Sequence, residues 1–333
     1  ILIIAFLFIL GCKNPVDENR NPNILFILMD DLGYGQVAFH NDTLEVKDID
    51  PYFISTMMNQ PNESRKYVDH HPNNIIEVYS PDTAIIFSRK AIPTIQSLAE
   101  KGVIFTNAYA CNNLCAPSRL GIATGLHPAR LGVYENSDTE ANGLEEVEHL
   151  AFHLKKQGYA TAHIGKWHIG TRDRNIRNEI LKKHNVQGNH GSFQLRKKYP
   201  EAFKEINESG FYGSVIEKHN PLNNGFDYYF GYNNWASQFY NSFMVWEGFQ
   251  HAGIQKNYNT DVFTDTAISF IDKELRKNKP FYVQLHYHAV HDSLKPKAPD
   301  RYYQKFQSGS YDLNNFYAHM NAVDEGIKKI IQL

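Results

Sequence analysis

Three cysteines in 333 residues cannot staple a fold through a disulfide framework, so the chain must hold together by burying apolar surface, and its length is ample for that. An excess of one charge is also missing. Lys and Arg number 34 against 36 Asp and Glu, a net charge of −2, and nothing in that balance points to a nucleic-acid partner. No internal repeat and no low-complexity tract is visible. Long apolar runs are lacking too, apart from Ile1 to Leu10, which falls well short of the ~20 residues needed to cross a bilayer.

That short run has the length of a signal-peptide core. It leads into Ile9-Leu10-Gly11-Cys12, which resembles a bacterial lipobox, with the polar stretch 13–21 behind it as a tether. The expectation is residues 1–12 as a lipoprotein signal segment and an exported protein, in the periplasm or at the cell surface, touching the membrane only through a lipid on Cys12. The alternative is a buried strand. There is no initiating Met and no basic region ahead of the apolar run, so the sequence reads as beginning inside that segment.

From residue 22 onward strands and helices alternate. Short apolar runs at Pro22–Met29, Tyr159–Ile164 and Pro280–Tyr287 read as strands, and Val103–Tyr109 as another running towards Cys111. Helices are expected over Ile92–Lys101 with Gly102 as a left-handed stop, over Glu145–Gln157 stopped by Gly158, over Thr260–Leu275 and over Tyr311–Leu333. His149 and His153, four apart, read as decorating a helix flank rather than as a metal pair. Such alternation specifies an α/β fold, a mostly parallel, doubly wound sheet with helices on both faces. Ligands bind at the carboxyl edge of such sheets.

The most informative stretch is Cys115-Ala116-Pro117-Ser118-Arg119, followed by Leu120-Gly121-Ile122-Ala123-Thr124-Gly125. Pro117 suits a first helical position, which would leave Cys115 just ahead of a helix N-terminus, where an anion is favoured. Arg119 adds a fork of donors shaped for an oxyanion. Asp30 and Asp31 end the first strand ahead of Leu32-Gly33-Tyr34-Gly35 and place paired carboxylates where a hard cation would bind. In Gly165-Lys166-Trp167-His168-Ile169-Gly170, Lys166 and His168 are two apart and would share a side of an extended segment. Phe281 to Asp292 is a strand ending in histidines; His286 reads as a core residue, and His288 and His291 as the candidates for chemistry.

Taken together, and in their order along the chain, these four motifs resemble the formylglycine-dependent sulfatases of the alkaline-phosphatase-like superfamily, over Pro22 to about Leu333. Val290 departs from the family's pattern, which has proline before the second histidine. The resemblance implies that Cys115 is oxidised to formylglycine by a maturation enzyme and that Asp30, Asp31 and residue 115 hold Ca²⁺, with Mg²⁺ less favoured. It implies that Arg119 and Lys166 offset charge on the sulfuryl group, that His291 (or His288) protonates the leaving alcohol, and that His168 accepts the second proton. Lys166, His288 and His291 would face the substrate, a sulfated carbohydrate such as a polysaccharide or oligosaccharide. The family's next metal pair and a further lysine lie beyond Leu333, so residues 22–333 are expected to be a catalytic domain without its C-terminal subdomain.

Polar loops around 41–90 and 171–222 read as insertions. The second opens on a basic run from Arg172 to Lys204, either a solvated face or a surface for a polyanion. The aromatic cluster Phe226–Trp246 reads as core, with a sugar-stacking wall as the other reading. A Cys111–Cys115 disulfide is an alternative that would block the chemistry. Two rival functions remain: a phosphatase or phosphodiesterase of the same superfamily, and an inactive glycan-binding lipoprotein.

Overall fold

A computed structural model describes residues 21–40, 81–140, 144, 147–292 and 294–333. The signal segment, Cys12, almost all of the tether and most of the first polar insertion lie outside the described residues. In chain order the elements are β1 (Ile24–Met29), α1 (Pro81–Ala91), α2 (Pro93–Lys101), α3 (Cys115–Thr124), α4 (Leu150–Lys156), β2 (Ala160–Lys166), α5 (Arg174–Lys183), α6 (Ser192–Lys198), α7 (Pro200–Glu208), β3 (Tyr228–Tyr232), β4 (Trp246–Glu247), β5 (Gln250–His251), α8 (Asn259–Arg276), β6 (Phe281–Tyr287), α9 (Asp300–Tyr303) and α10 (Tyr311–Ile331). Short 3₁₀ turns connect several of them.

The sheet runs β1-β6-β2-β3-β4-β5. Its first four strands are parallel and the last two turn back antiparallel. β2 and β6 are buried along their whole length, as strands covered on both faces must be. Alternate residues divide between two cores. Ala160, Ala162 and Ile164 of β2 with Val283, Leu285 and Tyr287 of β6 pack on α8 and α10. Tyr282, Trp167 and Tyr229 face the other way, onto Ala116, Leu120 and Ala123 of α3 and Ala151 of α4. This is the doubly wound α/β arrangement expected from the alternation.

Several local expectations are corrected. Val103–Tyr109 forms no strand; Val103, Phe105 and Tyr109 are exposed, and no described strand lies beside them to satisfy a ladder. Gly102 is not left-handed, with φ −111°. Helix α4 starts only at Leu150, and His149 at its N-cap is buried against Trp167 instead of decorating a flank. Residues 81–91, at the end of the first polar insertion, form α1, because Phe87 and Ala91 find a place in the larger core. The second insertion folds as α5–α7 around its own small cluster, Ile180, Leu181, Leu195, Ala202, Ile206 and Phe211. Its basic residues are partly neutralised, Lys183 by Glu205, and Arg172 and Arg174 by Glu140.

Glycine is obligatory at the centre of the sheet. Gly165 pairs with His286 on one side and Gly231 on the other. A Cβ on Gly231 would lie 1.9 Å from the Gly165 carbonyl oxygen, and one on Gly165, whose φ is +100°, 2.0 Å from that of His286. Backbone cannot yield as a side-chain tip can, so Gly231→Ala is expected to destabilise the chain by about 3 kcal/mol or more. Gly35→Ala, with nothing described within 4 Å of the added carbon, is the control. Urea midpoints of the two variants check this.

Candidate active site

The parallel strands deliver their ends to one edge. Backbone bonds continue past β1 and β6: Asp30 N–H donates to the Ala289 carbonyl at 3.1 Å and Val290 N–H to the Asp30 carbonyl at 2.9 Å. Asp30 and the His288–His291 turn are thereby fixed against each other. β2 contributes Lys166 as its last residue, and α3 brings Cys115 and Arg119 from the opposite layer.

Cys115 is itself the first residue of α3, after the extended Leu114, rather than lying ahead of the helix. Pro117 is third, a place it tolerates because first-turn N–H groups have no intrahelical partner. The Ala116 N–H is capped instead by Asn136 Oδ1 at 2.9 Å. Both described cysteines are free thiols, and Cys111 Sγ sits 3.8 Å from the Ser118 carbonyl and packs over Gly121.

Asp30 is the hub. Its carboxylate accepts from Arg119 Nη2 at 3.0 Å through one oxygen and from Lys166 Nζ at 2.6 Å through the other. Lys166 also donates to the Trp235 carbonyl, and Arg119 Nη1 to the Lys166 carbonyl at 2.7 Å. All three side chains are buried. Burial opposes the Asp30 charge, yet Arg119 and Lys166 outweigh it and hold the carboxyl below its ordinary 3.8. Burial and Arg119 push Lys166 down from 10.5, against the pull of Asp30 and Cys115.

Cys115 Sγ, an Asp30 oxygen and a His291 ring nitrogen lie within 4.8 Å of one another. His291 Nδ1 faces the Asp292 carbonyl, which leaves Nε2 for the site; Nε2 lies 3.6 Å from Asp31 Oδ2. The Asp31 side chain is more than half exposed and meets His291 instead of joining the Asp30–Cys115–His291 group. His288 points behind His291 to the Tyr232 hydroxyl, 3.1 Å from Nδ1, and stacks on the His291 ring.

The histidines titrate in opposite directions. His291 is raised above 6.5: burial works against its charge, but Cys115, the Asp292 carbonyl and Asp30 prevail. His168 is pushed well below 6.5 by burial and by Lys166, Arg119 and Arg172. It follows β2 in a left-handed conformation, φ 52°, so it does not continue the strand alternation from Lys166, and its Nδ1 is buried without a described partner.

Each Asp30 oxygen has one described hydrogen-bond donor, which leaves lone pairs over. Asp31, next in the chain, adds a second carboxylate, whose Oδ2 meets His291. A thiol at 115 is a poor ligand for Ca²⁺, and an oxygen there is a good one. The residues therefore fit Ca²⁺ once position 115 carries oxygen.

Two functional features escaped the sequence reading. Trp235 lies in the expected aromatic core cluster, yet its ring is exposed beside His291, centroids 6.2 Å apart. Most of that cluster is core: Phe226, Tyr229, Phe230, Tyr232 and Phe239 are buried. His286, read as a core residue, lies in the core but contacts Arg119. The described clefts elsewhere, about 520 Å³ beside Tyr228 and Phe270 and about 410 Å³ beside Trp246 and Phe249, include none of these residues.

The carboxyl edge of a doubly wound sheet thus gathers a cysteine, an arginine, a lysine and a carboxylate. The chain belongs to the sulfatase family, whose profile matches residues 22–333. It is 32% identical over 312 residues to the uncharacterized sulfatase YdeN of Escherichia coli K12, covering 93% of this chain and 48% of that protein. It is 24% identical to an N-acetylglucosamine-6-O-sulfatase of Bacteroides thetaiotaomicron, covering 89% of this chain and 36% of that one. The crystal structure of Ps i-CgsB superposes with a TM-score of 0.61 at 20% identity, over 94% of this chain and 55% of that chain, and shares the fold. The chain spans about half the length of these relatives or less.

An unmodified Cys115 should behave as an activated thiol. Burial raises its pKa, but His291, Lys166 and Arg119 bring it below 9.0. Site-resolved alkylation by iodoacetamide should therefore rise with pH at a midpoint below 9.0, and His291→Ala should move that midpoint up. An unchanged midpoint in the variant would remove His291 as the cause.

Proposed function

We propose that this protein hydrolyses sulfate esters of a carbohydrate, using residue 115 as formylglycine and Ca²⁺ held by Asp30, Asp31 and residue 115. What supports the reading most is the convergence of Cys115, Arg119, Lys166 and His291 on the Asp30 carboxylate. Relatives named as N-acetylglucosamine-6-O-sulfatase and, in Homo sapiens, N-acetylgalactosamine-6-sulfatase support the substrate class.

The hydrated aldehyde supplies an oxygen nucleophile with a second hydroxyl for expelling sulfate, and the cation supplies the charge that acidifies it. The chain's own residues do the rest. Lys166 and Arg119 are fixed positive charges in a buried setting, placed before the reaction to offset charge on the sulfuryl oxygens. His291, whose Nδ1 faces the Asp292 carbonyl, is placed to give a proton to the leaving alcohol from Nε2. His168, pushed down by burial and the surrounding cations and with Nδ1 buried without a described partner, is placed to take up the proton of the second hydroxyl. The exposed Trp235 ring beside His291 offers an apolar face for the sugar of the leaving group.

The remaining parts of the reading follow from the sequence: maturation by a formylglycine-generating enzyme, and export with a lipid anchor on Cys12.

The test is production together with a formylglycine-generating enzyme, followed by mass spectrometry of the peptide carrying residue 115. An aldehyde in place of the thiol is expected, with sulfate released from sulfated oligosaccharides, lost on chelation and restored by Ca²⁺. Cys115→Ala should abolish release. Trp235→Ala should raise KM about tenfold with kcat little changed, since it removes binding common to ground and transition states. Sulfate release by a protein carrying only free thiol at 115 would overturn the mechanism.

A further inference from the structure

His286 sits one strand behind the site, in register with Gly165, and is 2% exposed. Its Nδ1 lies 3.0 Å from Arg119 Nη1 and 3.3 Å from the Lys166 carbonyl. Arginine can only donate, so the Nδ1 that meets it must offer a lone pair, and the ring proton is on Nε2. The Lys166 carbonyl is then bonded by Arg119, not by His286. The two Nη1 hydrogens are both spoken for, one by that carbonyl and one by His286, while Nη2 reaches Asp30. Arg119 Nε is buried with no described partner. The guanidinium is thus held along one side with a donor to spare.

The imidazole is in turn held edge to face by the His163 ring, centroids 4.8 Å apart. His163 is anchored through Nδ1 to Gln284 Oε1 at 3.1 Å, and Gln284 Nε2 donates to the Tyr282 hydroxyl. That bond sets which end of the amide faces His163. Tyr282, Gln284 and His286 are alternate residues of β6, so one face of that strand, with His163 from the neighbouring β2, carries the support.

We propose that His286 is a positioning residue, whose Nδ1 lone pair orients the Arg119 guanidinium and so leaves its remaining donors for the anionic group bound at residue 115. This rests on the proposed function only in assigning that anion to a sulfuryl group; the orientation of Arg119 does not depend on it. Burial, with His163 and Arg119, keeps the His286 ring neutral, in keeping with an acceptor role.

Three substitutions separate positioning from filling. In His286→Asn, Oδ1 falls near the place of Nδ1 and keeps the acceptor. His286→Gln moves it a bond further, and His286→Leu removes it. The first measurement is low-temperature ¹H–¹⁵N NMR of the Arg119 side chain in the full chain, assigned by difference from Arg119→Lys. Slowly exchanging Nη1 signals are expected in the parent and in His286→Asn, and their loss in His286→Leu. The second is the affinity for inorganic sulfate. His286→Leu and His286→Gln should weaken it at least tenfold, and His286→Asn should stay within about threefold of the parent. Persistence of the Nη1 signals in His286→Leu, or equal failure of the Asn and Leu variants in a folded protein, would overturn the positioning role. Absence of sulfate binding by the parent would count against the proposed function, and the NMR result would still decide the role of His286.

Discussion

One buried carboxylate organises this molecule's working edge. Asp30 takes a cation on each oxygen, Arg119 from α3 and Lys166 from β2, and so ties a helix and two non-adjacent strands together. Neither cation is at home in the interior alone. Removing one partner of such a buried pair leaves uncompensated charge and costs roughly 3–5 kcal/mol. Because the Asp30 pKa is lowered, its contribution is present above 3.8 and is lost as pH falls through the lowered value. Stability and site geometry therefore share a set of contacts.

The remaining site residues inherit their places from that arrangement. β6 lies between β1 and β2, so its end arrives between Asp30 and Lys166 and sets His291 close to Cys115. The glycines Gly165 and Gly231 let the strand backbones meet without side chains intervening. His168 leaves the sheet in a left-handed turn, a conformation that costs a β-carbon residue of order 1–3 kcal/mol and is usually kept where function demands it. Burial pushes both histidines down; at His168 the surrounding cations add to it, whereas at His291 the thiol, the Asp292 carbonyl and Asp30 overcome it.

Much of this was legible in the sequence. Short strand-like runs alternating with helices specified the parallel α/β sheet, and β2 and β6 are buried on both faces although they carry Thr161, His163, Lys166, Gln284 and His286. The short-range motifs around Asp30, Cys115 and Lys166 named the residues that meet, because strand ends in a parallel sheet share an edge. What could not be read were relations across elements. Val103–Tyr109 has strand-like composition, but a strand needs a neighbour, and residue type does not supply one. His286 looks like any buried histidine until the register with Gly165 puts it beside Arg119. Trp235 is one aromatic among many, and only the turn after β3 exposes it.

The hub is most directly tested by ¹³C NMR titration of the Asp30 carboxyl in the folded protein. With Arg119 and Lys166 on its two oxygens, Asp30 should remain mostly ionised at pH 3.8, and Lys166→Met should move its midpoint up. A midpoint at or above 3.8 in the parent, or one that ignores the loss of Lys166, would contradict the central place given to this carboxylate.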